Sequence, residues 1–157
     1  MREERFKIDA IPAVLYGEPC DRLYLFVHGK CGCKEEGEAF AETVCPKGWQ
    51  VMAIDLPKHG ERQNGDPGFD PWHVVPELHS VLAFARQRWG HIALRATSIG
   101  AWFSMQAFAE EKFEKALFVS PVLDMEKLIR NMMLWASVDV ARLEQDGEIP
   151  TDFGETL

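Results

Sequence analysis

The sequence predicts an α/β fold built around a mostly parallel β-sheet. Short apolar segments rich in β-branched and aromatic residues alternate along the chain with longer segments of helical periodicity. The length of 157 residues fits one domain, and 46% of the residues are apolar and 27% charged, as in ordinary globular proteins. These observations together favour a compact α/β domain with a buried core.

Four apolar segments are the candidates for buried parallel strands. They cover residues 23–27, 50–54, 91–96 and 116–119. Two weaker segments, residues 6–8 and 13–16, come first and predict an antiparallel pair at the start of the sheet. The expected sheet therefore has six strands.

Two helices between these strands have recognisable features. The first begins at Asp70 and Pro71, because a capping carboxylate followed by proline is typical of a helix start, and we expect it to end at Gly90. The second, from Ile99 to about Lys112, is apolar on nearly every side, which predicts a central and covered position.

We interpret residues 124–157 as either a cap over a pocket or a helix packed on the core, within one domain that spans residues 1–157.

Charge and the absence of long apolar segments exclude several classes of partner. The formal net charge of −8 repels phosphate backbones and anionic lipid surfaces, so we expect neither nucleic acid nor membrane as a partner. The N-terminus lacks an apolar run of signal-peptide length, which predicts a cytoplasmic protein. Four cysteines at positions 20, 31, 33 and 45 are expected to be free thiols, and Cys-x-Cys without further ligands falls short of a zinc site. We expect no metal and no cofactor.

The segment from Ala96 to Gly100, with Ser98 at its centre, predicts a nucleophile elbow between a strand and a helix. This turn is so tight that it requires small residues two positions before and two after the serine. The Ser98 hydroxyl would then project above the strand ends, and the N–H of Ile99 would stabilise the negative oxygen that forms during acyl transfer. The alternative is that Ser98 only caps the following helix.

The loop after the first main strand begins with His28 and Gly29. Glycine lets the loop approach Ser98, so the N–H of Lys30 or Cys31 could complete an oxyanion hole, where one donor contributes about 2.7–4 kcal/mol. We expect His28, Gly29 and Cys31 to contact the substrate. The alternative is an ordinary turn, since neither common glycine-rich phosphate-binding pattern fits residues 29–37.

A third segment, Asp-x-Pro-x-His-Gly from Asp55 to Gly60, directly follows the second main strand. In order and spacing, the three segments resemble the α/β-hydrolase superfamily over most of the chain. The resemblance implies an α/β-hydrolase-like three-layer sandwich with Ser98 as the nucleophile. In this comparison Asp55 and His59 shape their loop and are not members of the catalytic triad.

The sequence departs from that superfamily in three respects, of which the first is Ala96 in place of the commoner glycine. Superfamily members take the triad acid and histidine from loops after two further strands, so we expect an incomplete core that lacks the last strands and leaves an exposed sheet edge. Copies of the chain could associate through this edge.

Asp124 is the nearest candidate acid, with a helix cap as the alternative, and no histidine is a clear base. Arg95 lies in a strand expected to be buried, where it needs a carboxylate or a path to solvent.

The leading interpretation is a serine esterase or thioesterase that cleaves an ester, thioester or related acyl bond of a small molecule through an acyl-enzyme on Ser98. Met132, in the predicted cap, would contact the substrate. Two alternatives stay open at this point. One is a non-catalytic binding module of the same fold, and the other is a truncated, inactive fragment.

Overall fold

A computed structural model describes residues 1–64 and 68–152 of the chain. It contains two compact units, Met1–Pro121 and Val122–Leu157. The first carries the sheet and three helices, and the second carries two helices. The boundary lies close to residue 124, where the cap segment was expected to begin, and the function of this segment as a cap stays a prediction.

The first unit is built on a six-stranded sheet with the order β1-β2-β4-β3-β5-β6. Strands β3 to β6 run parallel to one another, whereas β1 and β2 form an antiparallel pair that joins the sheet through β4. This arrangement confirms the mostly parallel sheet and the antiparallel start predicted from the sequence. The strands are β1 (Glu3–Ile8), β2 (Ile11–Tyr16), β3 (Arg22–Val27), β4 (Gln50–Ile54), β5 (His91–Thr97) and β6 (Ala116–Val119).

Helices cover both faces of this sheet and complete three layers. Alternate strand residues such as Leu25 and Met52 face one way and pack against α2 and α3, while Phe26 and Val51 face the other way and pack against α1. This alternation follows from the two-residue period of a β-strand. The helices are α1 (Gly37–Val44), α2 (Pro71–Arg86) and α3 (Ser98–Ala107) in the first unit, and α4 (Met125–Trp135) and α5 (Val140–Asp146) in the second.

The predicted start of α2 is confirmed, but both predicted helices end earlier than the apolar pattern indicated. Asp70 caps α2, since its carboxylate accepts the N–H of His73 at 3.1 Å. Beyond the end of this helix, Trp89 is still buried in the apolar core, and its indole N–H donates to Gln50 at 2.9 Å. An apolar side chain can thus be buried by a tertiary contact after the helix has ended, which periodicity alone does not reveal.

The prediction that β6 is buried is wrong. All four of its residues are exposed, with Leu117 at 42%, Phe118 at 40% and Val119 at 39%. In the part of the chain that the structure describes, β6 pairs only with β5 and forms an edge of the sheet. The expected hydrophobic edge is therefore present, and association of copies through it stays a prediction.

No helix within residues 1–64 and 68–152 combines the length and the apolar character needed to cross a membrane.

Candidate active site

The junction between β5 and α3 places Ser98 in a strained turn. β5 ends at Thr97 in extended conformation, and α3 begins at the very next residue. Ser98 has a φ of +51°, in the left-handed region that residues with a side chain rarely adopt. A strand, a strained serine and a helix in immediate succession form the backbone geometry that a nucleophile elbow requires.

The small residues around Ser98 are explained by the close approach of β3. Ala96 is fully buried, and a Cβ atom on Gly100 would overlap the carbonyl oxygen of His28. The residue that caps α3 is Thr97, and Ser98 is the first residue of the helix. Thr97 makes no side-chain hydrogen bond to the first turn of α3, and the side chain of Ser98 is half-buried, so the alternative in which Ser98 only caps the helix stays open.

The loop after β3 folds back beside Ser98. A Cβ atom on Gly29 would lie only 3.2 Å from the Cβ of Ser98 and 3.4 Å from the carbonyl oxygen of Thr97. The next residues, Lys30 and Cys31, are exposed, and Cys31 has a φ of +61°. Two of the backbone groups predicted to form an oxyanion hole thus belong to the residues that directly follow Gly29, the loop residue packed against the serine.

The N-terminus of α3 supplies a further donor at this position. The first N–H groups of a helix have no acceptor within it, and the helix dipole places partial positive charge there. The N–H of Ile99, in the first turn of α3, belongs to this set. Negative charge that develops on the carbonyl oxygen of a group under attack by Ser98 would be stabilised at this end of the helix.

The His28 ring is enclosed by the chain. The side chain is fully buried, its Nδ1–H donates to the Gly29 carbonyl at 2.6 Å, and its Nε2 accepts the N–H of Leu56 at 3.1 Å. These partners assign the neutral form with the proton on Nδ1. Burial lowers the pKa of His28, which keeps this form stable. The ring expected to contact a substrate therefore holds the loop after β3 to the loop after β4.

Asp55 and His59 shape the loop after β4, as the resemblance implied. Asp55 is fully buried and accepts the backbone N–H of Lys34 at 2.8 Å and of Glu61 at 3.0 Å. His59 donates from Nδ1 to the carbonyl of Pro57 at 2.8 Å. The sequence did not single out Lys34, because a lysine next to two glutamates has the pattern of an ordinary solvated charge run.

Arg95 is half-buried, which agrees with the expected path to solvent, and aromatic rings, which the sequence did not predict, also contact it. Its guanidinium lies 4.8 Å from the ring centres of Phe26 and of Phe40. Burial lowers the pKa of Arg95, and the charge of Glu36 opposes this effect. The electron-rich ring faces compensate part of the lost hydration by cation–π attraction.

In the second unit, Asp124 has the capping position that was considered as its alternative role. It is exposed and accepts the N–H of Lys127 at 2.8 Å at the start of α4. Met132 lies on the same helix and is half-buried. The expected roles of Asp124 as a triad acid and of Met132 as a substrate contact stay predictions.

The cysteines are free thiols, and Cys31 is the exposed one. Over residues 1–64 and 68–152, no group of three His, Cys, Asp or Glu side chains is arranged to hold a metal ion.

Comparison with known proteins identifies similar solved structures. No family model and no curated protein matches the sequence. A Thermus thermophilus protein shares 23% identity with a TM-score of 0.63, over 95% of this chain and 72% of its own. A Pyrococcus furiosus esterase shares 16% identity with a TM-score of 0.68, over 89% of this chain and 56% of its own. A cold-adapted esterase from an Arctic intertidal metagenomic library shares 26% identity with a TM-score of 0.59, over 74% of this chain and 58% of its own. The chain thus spans little more than half the length of the two esterases.

Proposed function

We propose that this chain, which has the α/β-hydrolase fold, is or belongs to a serine hydrolase that cleaves an ester, thioester or related acyl bond. The observation that carries the proposal is the strained Ser98, at a φ of +51° between β5 and α3, with Gly29 packed directly beside it. The esterase activities of two structural neighbours agree with this assignment. Because those enzymes are longer, the activity of the whole protein is part of the proposal.

The reaction would proceed through an acyl-enzyme. Ser98 Oγ forms a bond to the carbonyl carbon, and its proton passes through a general base to the departing alkoxide or thiolate. The carbonyl oxygen gains negative charge and accepts hydrogen bonds from the N–H groups of Ile99 and Lys30. In comparable enzymes each such donor stabilises the transition state by about 2.7–4 kcal/mol. Water then adds to the acyl carbon, and Ser98 leaves with a proton as the acid is released.

The general base is the part of this mechanism that needs a further residue. His28 cannot accept the proton, because both of its ring nitrogens are engaged within the chain. Loss of the histidine from a serine triad lowers the rate by about a millionfold. Fluorophosphonate labelling of Ser98 also requires this base, so it tests the serine and its base together, and it does so without a known substrate.

The experiment is labelling by a fluorophosphonate probe, with the modified residue located by mass spectrometry. We expect labelling of Ser98 in the native protein and none in Ser98→Ala. Ser80→Ala, a substitution of an exposed serine on α2, is the matched control and should be labelled like the native protein. A folded native protein whose Ser98 stays unmodified, or a Ser98→Ala variant that is still labelled, would contradict the proposal.

A non-catalytic binding module is the second candidate. In its favour, His28 and Asp124 both have structural roles, through hydrogen bonds to Gly29 and Lys127 respectively. A folded protein with an unreactive Ser98 would support this candidate over the hydrolase.

A further inference from the structure

A buried ammonium group lies beneath the loop that approaches Ser98. Lys34 is only 2% exposed, and its Nζ contacts Asp55 Oδ2 at 2.8 Å, Glu61 Oε1 at 2.8 Å and Glu35 Oε1 at 3.1 Å. An ammonium carries three N–H donors, and here it meets three carboxylates. The hydrogen-bonding capacity of Lys34 is therefore fully used by these three side chains.

Asp55 connects this group to the backbone of two loops. Besides the ammonium of Lys34, it accepts the backbone N–H of Lys34 through Oδ1 and that of Glu61 through Oδ2. A Cβ atom on Gly60 would overlap this carboxylate, so the chain also packs tightly around it. A fully buried carboxylate needs a charged partner, and Lys34 provides it.

Lys34 and Glu35 both stay charged throughout the neutral pH range. Burial disfavours the charged form of Lys34, but the bonds to Asp55, Glu61 and Glu35 outweigh it and raise the pKa of Lys34. Burial also opposes ionisation of Glu35, yet hydrogen bonds, chiefly from Arg5, lower the pKa of Glu35 to about 2. The ion pair between Lys34 and Glu35 is therefore not expected to change its protonation near pH 7.

Both ends of the loop formed by residues 29–33 are fastened to consecutive residues after β4. At one end His28 accepts the N–H of Leu56, and at the other Lys34 binds Asp55 through its backbone and its ammonium. Between these two points the loop passes beside Ser98. The position of the loop relative to the serine therefore depends on both attachments.

We infer that Lys34 is a positioning residue, which holds the loop of residues 29–33 at the distance from Ser98 that oxyanion binding requires. The link to oxyanion binding rests on the proposed function, whereas the holding of the loop does not. Misplacement of a catalytic group by about 1 Å can lower a rate about 100-fold. Lys34 thereby acts on the reaction through the amides of Lys30 and Cys31, without touching the reacting atoms.

The test uses the full chain and three variants. Lys34→Met removes the ammonium, and Glu61→Gln removes one charge but keeps an acceptor at the exposed side of the cluster. Lys47→Met is the matched control, because Lys47 is an exposed lysine just before β4, at the sheet end opposite Ser98. Amide hydrogen exchange of residues 29–33 reports on the loop, and the rate of fluorophosphonate labelling reports on Ser98.

In Lys34→Met we expect at least about tenfold faster exchange in the loop, unchanged exchange within β4 and β5, and about 100-fold slower labelling. The maximal labelling rate should fall while the half-saturating probe concentration stays constant, which a general loss of stability would not produce. Glu61→Gln should speed loop exchange and slow labelling by about two- to fivefold each, as expected for the loss of a partly exposed ion pair. Lys47→Met should match the native protein.

Unchanged loop exchange in both cluster variants would overturn the inference, and so would faster loop exchange with unchanged labelling. If Lys34→Met does not fold, because Asp55 is left unpaired, Glu61→Gln decides the question by itself. A native protein that is not labelled would instead contradict the proposed function. Loop exchange in the same samples would still decide whether Lys34 holds the loop.

Discussion

Gly100 packs directly against the backbone carbonyl of His28, so closely that a Cβ atom at position 100 would overlap the oxygen. This contact joins the first turn of α3 to the end of β3. It brings the elbow around Ser98 and the loop beginning at Gly29 together. The glycine two residues after the serine is therefore required by a neighbouring strand as well as by the turn itself.

Gly100→Ala should destabilise the protein by about 1–3 kcal/mol. Alanine is the better helix former by about 1 kcal/mol, but overlap with a backbone atom forces strand and helix apart. Urea denaturation would measure the change in the free energy of unfolding, and Ser98 labelling should slow in the same variant. A loss below about 0.5 kcal/mol, which is typical of neutral substitutions, would show that the contact is easily relieved.

Gly29→Ala should affect reactivity more than stability. Its Cβ would lie 3.2 Å from the Cβ of Ser98, a tight contact that a small shift of the loop can relieve. We expect a change in unfolding free energy within about 1 kcal/mol and a labelling rate lowered by about tenfold or more, because a loop displaced by a fraction of an ångström no longer presents its amides correctly. Unchanged labelling of a variant with native stability would contradict a role of this loop in oxyanion binding.

Protonation of His28 should make stability depend on pH. Burial lowers the pKa of the folded His28 below its ordinary value of 6.5, so the unfolded chain binds a proton that the folded one does not. The free energy of unfolding should therefore fall as the pH drops below about 6.5, by at most about 1.4 kcal/mol per pH unit for this group.

Urea titrations at pH 7.5 and 5.5 would measure this dependence. His28→Gln, which keeps an oxygen acceptor for the N–H of Leu56, should lose this part of it, whereas the exposed His91→Gln should retain it. Equal pH dependence in native protein and His28→Gln would show that His28 is not its source.

Replacement of Arg95 should separate the effects of its burial and its aromatic contacts. In Arg95→Met the lost cation–π attraction to Phe26 and Phe40 is offset by relief from burying a charge, so we expect a change within about 1 kcal/mol. Arg95→Glu should destabilise by more than this, because it places a carboxylate near the electron-rich ring faces and the charge of Glu36. Equal unfolding free energies of the two variants would contradict this account.

The sequence predicted the architecture well because strand patterns are local. The two segments 50–54 and 116–119 coincide with β4 and β6, and the start of α2 at Asp70 follows from a cap formed within one turn. Burial was predicted less reliably. The apolar pattern of β6 indicated a buried strand, but burial depends on what packs against it, and β6 has one neighbour among the described strands.

For the candidate site, the sequence by itself determined the residues that a tight strand-to-helix turn requires, since Ala96, Ser98 and Gly100 lie within five consecutive residues. Only the tertiary structure decided how the loops cooperate. His28 is buried and joins two loops, and Lys34, three positions after the exposed Cys31, is a buried cation that holds the loop in place. Their partners, Leu56 and Asp55, are more than 20 positions away along the chain. These pairings form only when the loops after β3 and β4 come together at the carboxyl ends of the two strands, so no local sequence pattern predicts them.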